Sequence, residues 1–207
     1  MAEVMQKESR ALLPMLALRG LVLFPQMVLH FDVGREKSLQ ALNDAMSNDR
    51  MIFLVAQKDI RTEDPAVSDL YQIGVVAKIK QIIKPSQGGP VRVLVEGRYR
   101  ARMAECLRSD PYFYVEAERM ELKAMPVKKS MMAAALMRTI KELFEQYCSL
   151  TPRMPRELVV NAMGSDDPVY LVEYIASQMT IPPEDKQAIL EESRPIERLE
   201  RMAKILE

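Results

Sequence analysis

The chain reads as α+β: an amino-terminal curled antiparallel β-sheet or partly closed barrel carrying one helix, followed by an all-α helical bundle. Three observations predict this. Apolar residues recur with period 2 across most of residues 11–120, between clusters of turn-forming residues. From Ser130 the period becomes helical, and prolines repeatedly punctuate it. A charged stretch containing Pro126, Glu121 to Lys129, separates the two patterns, so the expected units are 11–120 and 127–207.

The first element is an apolar run, Leu13 to Leu18, broken by Arg19-Gly20. Pro25 lacks the N–H that a central strand position requires. Met27, Leu29, Phe31 and Val33 then alternate with Val28, His30 and Asp32, giving a strand with one apolar face. A helix follows Gly34, with Leu39, Leu42 and Met46 on one side, and Asn48-Asp49 stops it. Met51 to Ala56 (MIFLVA) is a short continuous apolar strand, and the acid-rich segment Lys58 to Asp69 reads as a surface loop. In Ile73 to Ile83, the residues Ile73, Val75, Ala77, Ile79 and Ile83 share a face opposite Lys78, Lys80 and Lys84. The cluster Pro85 to Pro90 turns the chain, so Val91, Val93 and Val95 return as a hairpin partner. Gly97 suits a bulge or bend, Tyr99, Ala101 and Met103 continue the alternation, and Phe113, Val115 and Ala117 give the last strand.

In the carboxy-terminal part, Met132, Leu136, Ile140, Leu143 and Tyr147 form one helical stripe. A short helix from Arg156 to Met163 ends at Gly164, a candidate C′ residue. Asp167-Pro168 is an N-cap followed by a proline suited to the first helical position. Pro182-Pro183-Glu184 and Pro195 open two further helices, and the last runs to residue 207 without a capping signal, as in a segment of a longer protein.

Composition narrows the function. Lys+Arg and Asp+Glu both number 29, so global charge gives no push toward nucleic acid or an anionic membrane. The two cysteines, Cys106 and Cys148, fit no metal or redox spacing and suit a reduced, cytoplasmic protein. The first ten residues lack the apolar core of a signal peptide, and no apolar run approaches a membrane span. None of the 7 glycines lies in a phosphate-binding motif, and the single histidine, His30, has no partner for a metal or a nucleophile pair. Ser38 beside Lys37 and Ser130 beside Lys129 occupy ordinary helix-start positions, so catalysis is not expected of them. The one electrostatic signal is a basic run whose spacing puts Lys78, Lys80, Arg98, Arg100 and Arg102 on a sheet face. Such a face could hold nucleic-acid backbone, or be solvated and paired with neighbouring acids. Methionine is abundant at 16, and its unbranched, polarisable side chain suits both core gaps and adaptable contact surfaces.

The stretch LPMLALRGLVLFPQMVLHFDVGREKSLQAL, Leu13 to Leu42, resembles the opening of the amino-terminal domain of the bacterial Lon proteases. YQIGVVAKIK (Tyr71 to Lys80), VRVLVEG (Val91 to Gly97) and the segment from Tyr170 to Ile189, with IASQM before DKQAIL, agree with it in order. Gly20 and Gln26 depart from the family pattern, at turn positions. The resemblance implies a substrate-recognition and oligomerisation-supporting segment of a cytoplasmic, usually hexameric ATP-dependent serine protease that degrades damaged, misfolded and regulatory proteins. ATP and Mg, the AAA+ module and the Ser-Lys peptidase would belong to later parts of such a protein, leaving this segment without cofactor or catalytic residues. Its partners would be unfolded protein and other copies of the chain, with a dimer as one form open to the segment alone; DNA is the alternative partner, and no membrane is implied. Leu23, Phe24, Pro25 and Met27 are the expected substrate contacts, because a proline-broken apolar turn could offer adaptable surface.

Overall fold

The fold is that of a computed structural model in which residues 9–85, 89–124, 130–151 and 155–207 are described, Ser130 by its backbone alone. The middle of the expected turn at 85–90, the expected boundary at 127 and Lys129 lie outside these residues. The chain divides into two compact units, Met1–Met120 and Glu121–Glu207.

The first unit holds β1 (Arg10–Leu18), β2 (Val28–Val33), α1 (Glu36–Ser47), β3 (Met51–Ala56), β4 (Ile73–Ile83), β5 (Val91–Arg108) and β6 (Phe113–Arg119). Strand order is β2-β5-β4-β3-β1-β6, and β5 also pairs with β6. Five strands therefore close into a ring, with β2 laid along the amino-terminal half of β5. Closure leaves few unpaired edges. All pairings are antiparallel except β1 with β3, which run parallel because β2 and α1 form the crossover between them.

The interior of the ring is apolar: Leu13, Met15, Phe53, Val55, Val76, Ala101, Val115 and Ala117 are buried there. The opposite face of β1 and β3 is covered by α1, whose Ala41, Leu42 and Ala45 are buried. Two-sided burial explains why β3 is a continuous apolar run rather than an alternating one.

Two bulges set which side chains point where. In β5, Val76 pairs with Tyr99 but Ala77 with Gly97, so Arg98 is the extra residue. In β4, Ile79 pairs with Val95 but Gln81 with Leu94, so Lys80 is extra. Each extra residue flips the alternation beyond it. Ile83, expected on the apolar face, is consequently 51% exposed.

The second unit holds α2 (Ser130–Leu150), α3 (Arg156–Met163), α4 (Pro168–Gln178), α5 (Pro183–Glu191) and α6 (Pro195–Leu206). Asp167 caps α4, its Oδ1 accepting from the amides of Val169 at 2.8 Å and Tyr170 at 3.3 Å. Gly164 departs from expectation: its φ of −75° is right-handed, so it closes α3 without the left-handed turn of a C′ glycine. The buried line of α2 is Ala133, Ile140 and Phe144. Ile140 lies on the expected stripe, whereas Ala133 and Phe144 each stand one position on from a member of it, Met132 and Leu143, and Met132 is 46% exposed. α6 packs on α2 and α4, and carries a fully buried Arg198 whose Nη2 lies 2.7 Å from Glu173 Oε1.

Candidate functional site

The turn between β1 and β2 is built into the first unit rather than offered to solvent. Met27 N–H donates to the Phe24 carbonyl at 3.3 Å, with Gln26 at φ 62°. Gln26 N–H donates to Gly97 O, and Gly97 N–H to Met27 O, both at 2.9 Å. A Cβ on Gly97 would overlap the Phe24 carbonyl oxygen, so this glycine permits the crossing. The consequence is burial: Leu23, Phe24 and Met27 are 3%, 0% and 8% exposed, Pro25 is half-buried, and Gln26 is exposed. The expected grip residues are thus core, and the polar Gln26 occupies the outer position.

The five basic residues do not share one face. Lys78 pairs with Glu96, whereas Arg100 and Arg102 pair with Val75 and Ile73, three and five positions back along β4 and on its other side. The bulge at Arg98 is the cause. Glu96 sits among cations: Lys80 Nζ at 2.6 Å and Arg98 Nη1 at 3.4 Å. The hydrogen bond from Lys80, then the charge of Arg98, hold its carboxyl below the usual range. Arg102 lies 2.6 Å from Glu118, and Arg100 is buried at 4% exposure. The run is therefore largely a set of local ion pairs.

Lys37 Nζ lies 3.0 Å from Asp64, so its ammonium is engaged rather than poised as a base for Ser38. Among the described residues no group of three or more His, Cys, Asp or Glu could hold a metal ion. No helix among them is long and apolar enough to cross a membrane.

Two features escaped sequence reading. One is exposed apolar surface on the second unit: Met131 at 84%, Leu150 at 82% and Val160 at 67%. Met131 and Leu150 stand near opposite ends of α2, about 28 Å apart at 1.5 Å rise per residue. None of the three lies on the helical stripe read from the sequence, and nothing local marks an apolar residue as exposed. The other is a cleft of about 380 Å³ in the first unit, where Arg19, Arg35 and Ser38 meet apolar residues. Only the Gly34-Arg35 helix start hinted at it.

Residues 12–207 match the family model described as the ATP-dependent protease La (LON) substrate-binding domain. The Lon protease of Desulforamulus reducens is 45% identical over 194 residues, which are 94% of this chain and 24% of that protein. The Lon protease of Escherichia coli K12 is 38% identical over 202 residues, 98% of this chain and 25% of that protein. The chain thus spans about a quarter of the length of these relatives. Among solved structures, the N-terminal domain of Mycobacterium avium complex Lon protease superposes with a TM-score of 0.75 at 18% identity, covering 95% of this chain and 98% of that one. A Lon N-terminal domain protein from Xanthomonas campestris gives 0.59 at 15%, covering 94% and 98%. These two structures speak to the fold, and the family match to kinship: the chain belongs to the LON substrate-binding domain family.

Proposed function

We propose that this chain is the polypeptide-recognition segment of a Lon-type ATP-dependent protease and performs no catalysis itself. The observation that carries the reading is the family match over residues 12–207, whose description names substrate binding. The relatives are about four times as long as the matched region, leaving room for a nucleotide-driven motor and a peptidase that this segment would serve. In that setting ATP and Mg act elsewhere in the protein, and the whole assembles as a cytoplasmic homohexamer for protein quality control and stress response.

The surface chemistry supports this role. Unfolded chains share exposed apolar side chains and little else, so a general receptor gains from adaptable apolar contacts rather than one exact pocket. Met131, Leu150 and Val160 supply such contacts on the second unit. In this reading they replace the buried Leu23–Met27 turn as the points of grip. The test is a titration of the chain against one protein in native and in reduced, carboxymethylated form. Binding confined to the unfolded form supports the proposal, and equal binding to both, or to neither, removes it.

A further inference from the structure

The cleft of about 380 Å³ lies in the first unit, where the end of β1 and the end of β2 meet the start of α1. Part of its lining is apolar, with Leu18, Leu21, Phe31 and Val33; the rest includes Arg19, Arg35 and Ser38. α1 begins there without a side-chain cap, since Arg35 at the N-cap makes no capping hydrogen bond. The first helical bond at this end is Leu39 N–H to Arg35 O at 3.0 Å, so the amides of Glu36, Lys37 and Ser38 have no partner within the helix. Amides in that position, with the helix dipole, favour an anion.

A second observation points to a ligand independently. Ser38 is only 8% exposed and lines the cleft, yet its hydroxyl has no hydrogen-bond partner among the described residues. That leaves its donor and acceptor open to whatever occupies the cleft.

Arg35 is held in place from behind. Its Nη2 donates to Gln57 Oε1 at 3.0 Å and to the Thr62 carbonyl at 3.5 Å. Gln57 is itself buried at 3% exposure and anchored by the Asp59 and Thr62 carbonyls, each at 2.6 Å. Nε and Nη1 of Arg35 keep their donors free among the described residues. Burial first, then the nearby charge of Arg19, lowers the Arg35 pKa against the opposing pull of Asp64 and Glu63. Asp32, the acid lining the cleft, is occupied by Arg92 at 2.9 and 3.2 Å. With Asp32 and Glu36 flanking the site, a singly charged anion fits better than a dianion such as phosphate.

The geometry points to a carboxylate pocket that takes the free C-terminal end of a polypeptide with an apolar last residue. Arg35, the Ser38 hydroxyl and the first-turn amides of α1 hold the carboxylate, and Leu21 and Phe31 pack the side chain. This inference rests on the reading that the chain binds polypeptide, and it supplies a second, end-specific mode beside the apolar contacts.

The test uses the full chain and an N-terminally fluorescein-labelled octapeptide ending in leucine, as the free acid and as the C-terminal amide, followed by anisotropy. The free acid is expected to bind at least tenfold more tightly than the amide. Arg35→Gln and Ser38→Ala should each bring that ratio close to one, with Ser38→Ala keeping the melting temperature of the parent. Acetate should compete better than phosphate at equal ionic strength. Equal binding of acid and amide, or an unchanged ratio in Ser38→Ala, overturns the pocket. If the carboxymethylated protein still binds in that case, only the pocket falls; if neither peptide nor unfolded protein binds, the reading beneath it falls too.

Discussion

Replacing Arg198 by Met tests how the helical unit is held together. Arg198 has no exposed side-chain surface, and its partner Glu173 has 6%. Nη2 lies 2.7 Å from Glu173 Oε1, and Nε donates to the Ile189 carbonyl at 3.0 Å. Nη1 is buried with no partner among the described residues. Removing the guanidinium therefore takes the paired cation from a buried carboxylate and a donor from the Ile189 carbonyl at once. Loss of one member of a buried ion pair costs about 3–5 kcal/mol. For a unit of this size, that is a fall in melting temperature of about 4–8 °C per kcal/mol. The double replacement Arg198→Met with Glu173→Leu removes both charges and also the orphaned Nη1, so it should lie within about 1 kcal/mol of the parent or above it. Urea unfolding followed by far-ultraviolet circular dichroism, run on the parent, both single variants and the double, gives the coupling energy. A cost below about 1 kcal/mol for Arg198→Met, or additive single effects, would show that the pair does not hold the unit together.

Three further outcomes rest on particular contacts. Gly97→Ala places a methyl against the Phe24 carbonyl and should destabilise the barrel unit by about 1–3 kcal/mol, read as earlier loss of amide protection at Gln26 and Gly97. Glu192 has its pKa lowered to about 2 from 4.5, mainly by the hydrogen bond from Arg194, so its stabilisation is present above pH 4.5 and lost as pH falls toward 2. Glu192→Gln should flatten the melting-temperature profile between those values, and parallel profiles would rule the contribution out. Met131→Asp with Leu150→Asp alters side chains 84% and 82% exposed, so melting temperature should hold while binding of carboxymethylated protein weakens several-fold.

Much of the fold was legible in the sequence, because long periodic runs carry it. β3, β4, α3 and the start of α4 at the Asp167 cap stand where their patterns put them, and the bend expected at Gly97 is a bulge. The effect of single extra residues on the rest of a strand was not legible. The bulges at Lys80 and Arg98 are one residue each, yet they turn Ile83 outward and split the basic run between two faces. The parallel pairing of β1 and β3 was likewise hidden, since local alternation does not name a strand's partner. For the site, apolar character at Leu23–Met27 was readable but its burial was not. That burial depends on Gly97, about seventy residues further along the chain, accepting the turn against it. The Arg35 and Ser38 cleft was hidden for the same reason: Gln57, which holds Arg35, falls between the strand and the loop read from the sequence, more than twenty residues away.

Recognition of polypeptide by its unfolded state is open to direct measurement by isothermal titration. The intact chain is titrated with one substrate protein, first native and then reduced and carboxymethylated. Saturable binding of the unfolded form and none of the native form is the expected result. Equal affinity for the two, or heat from neither, would contradict it.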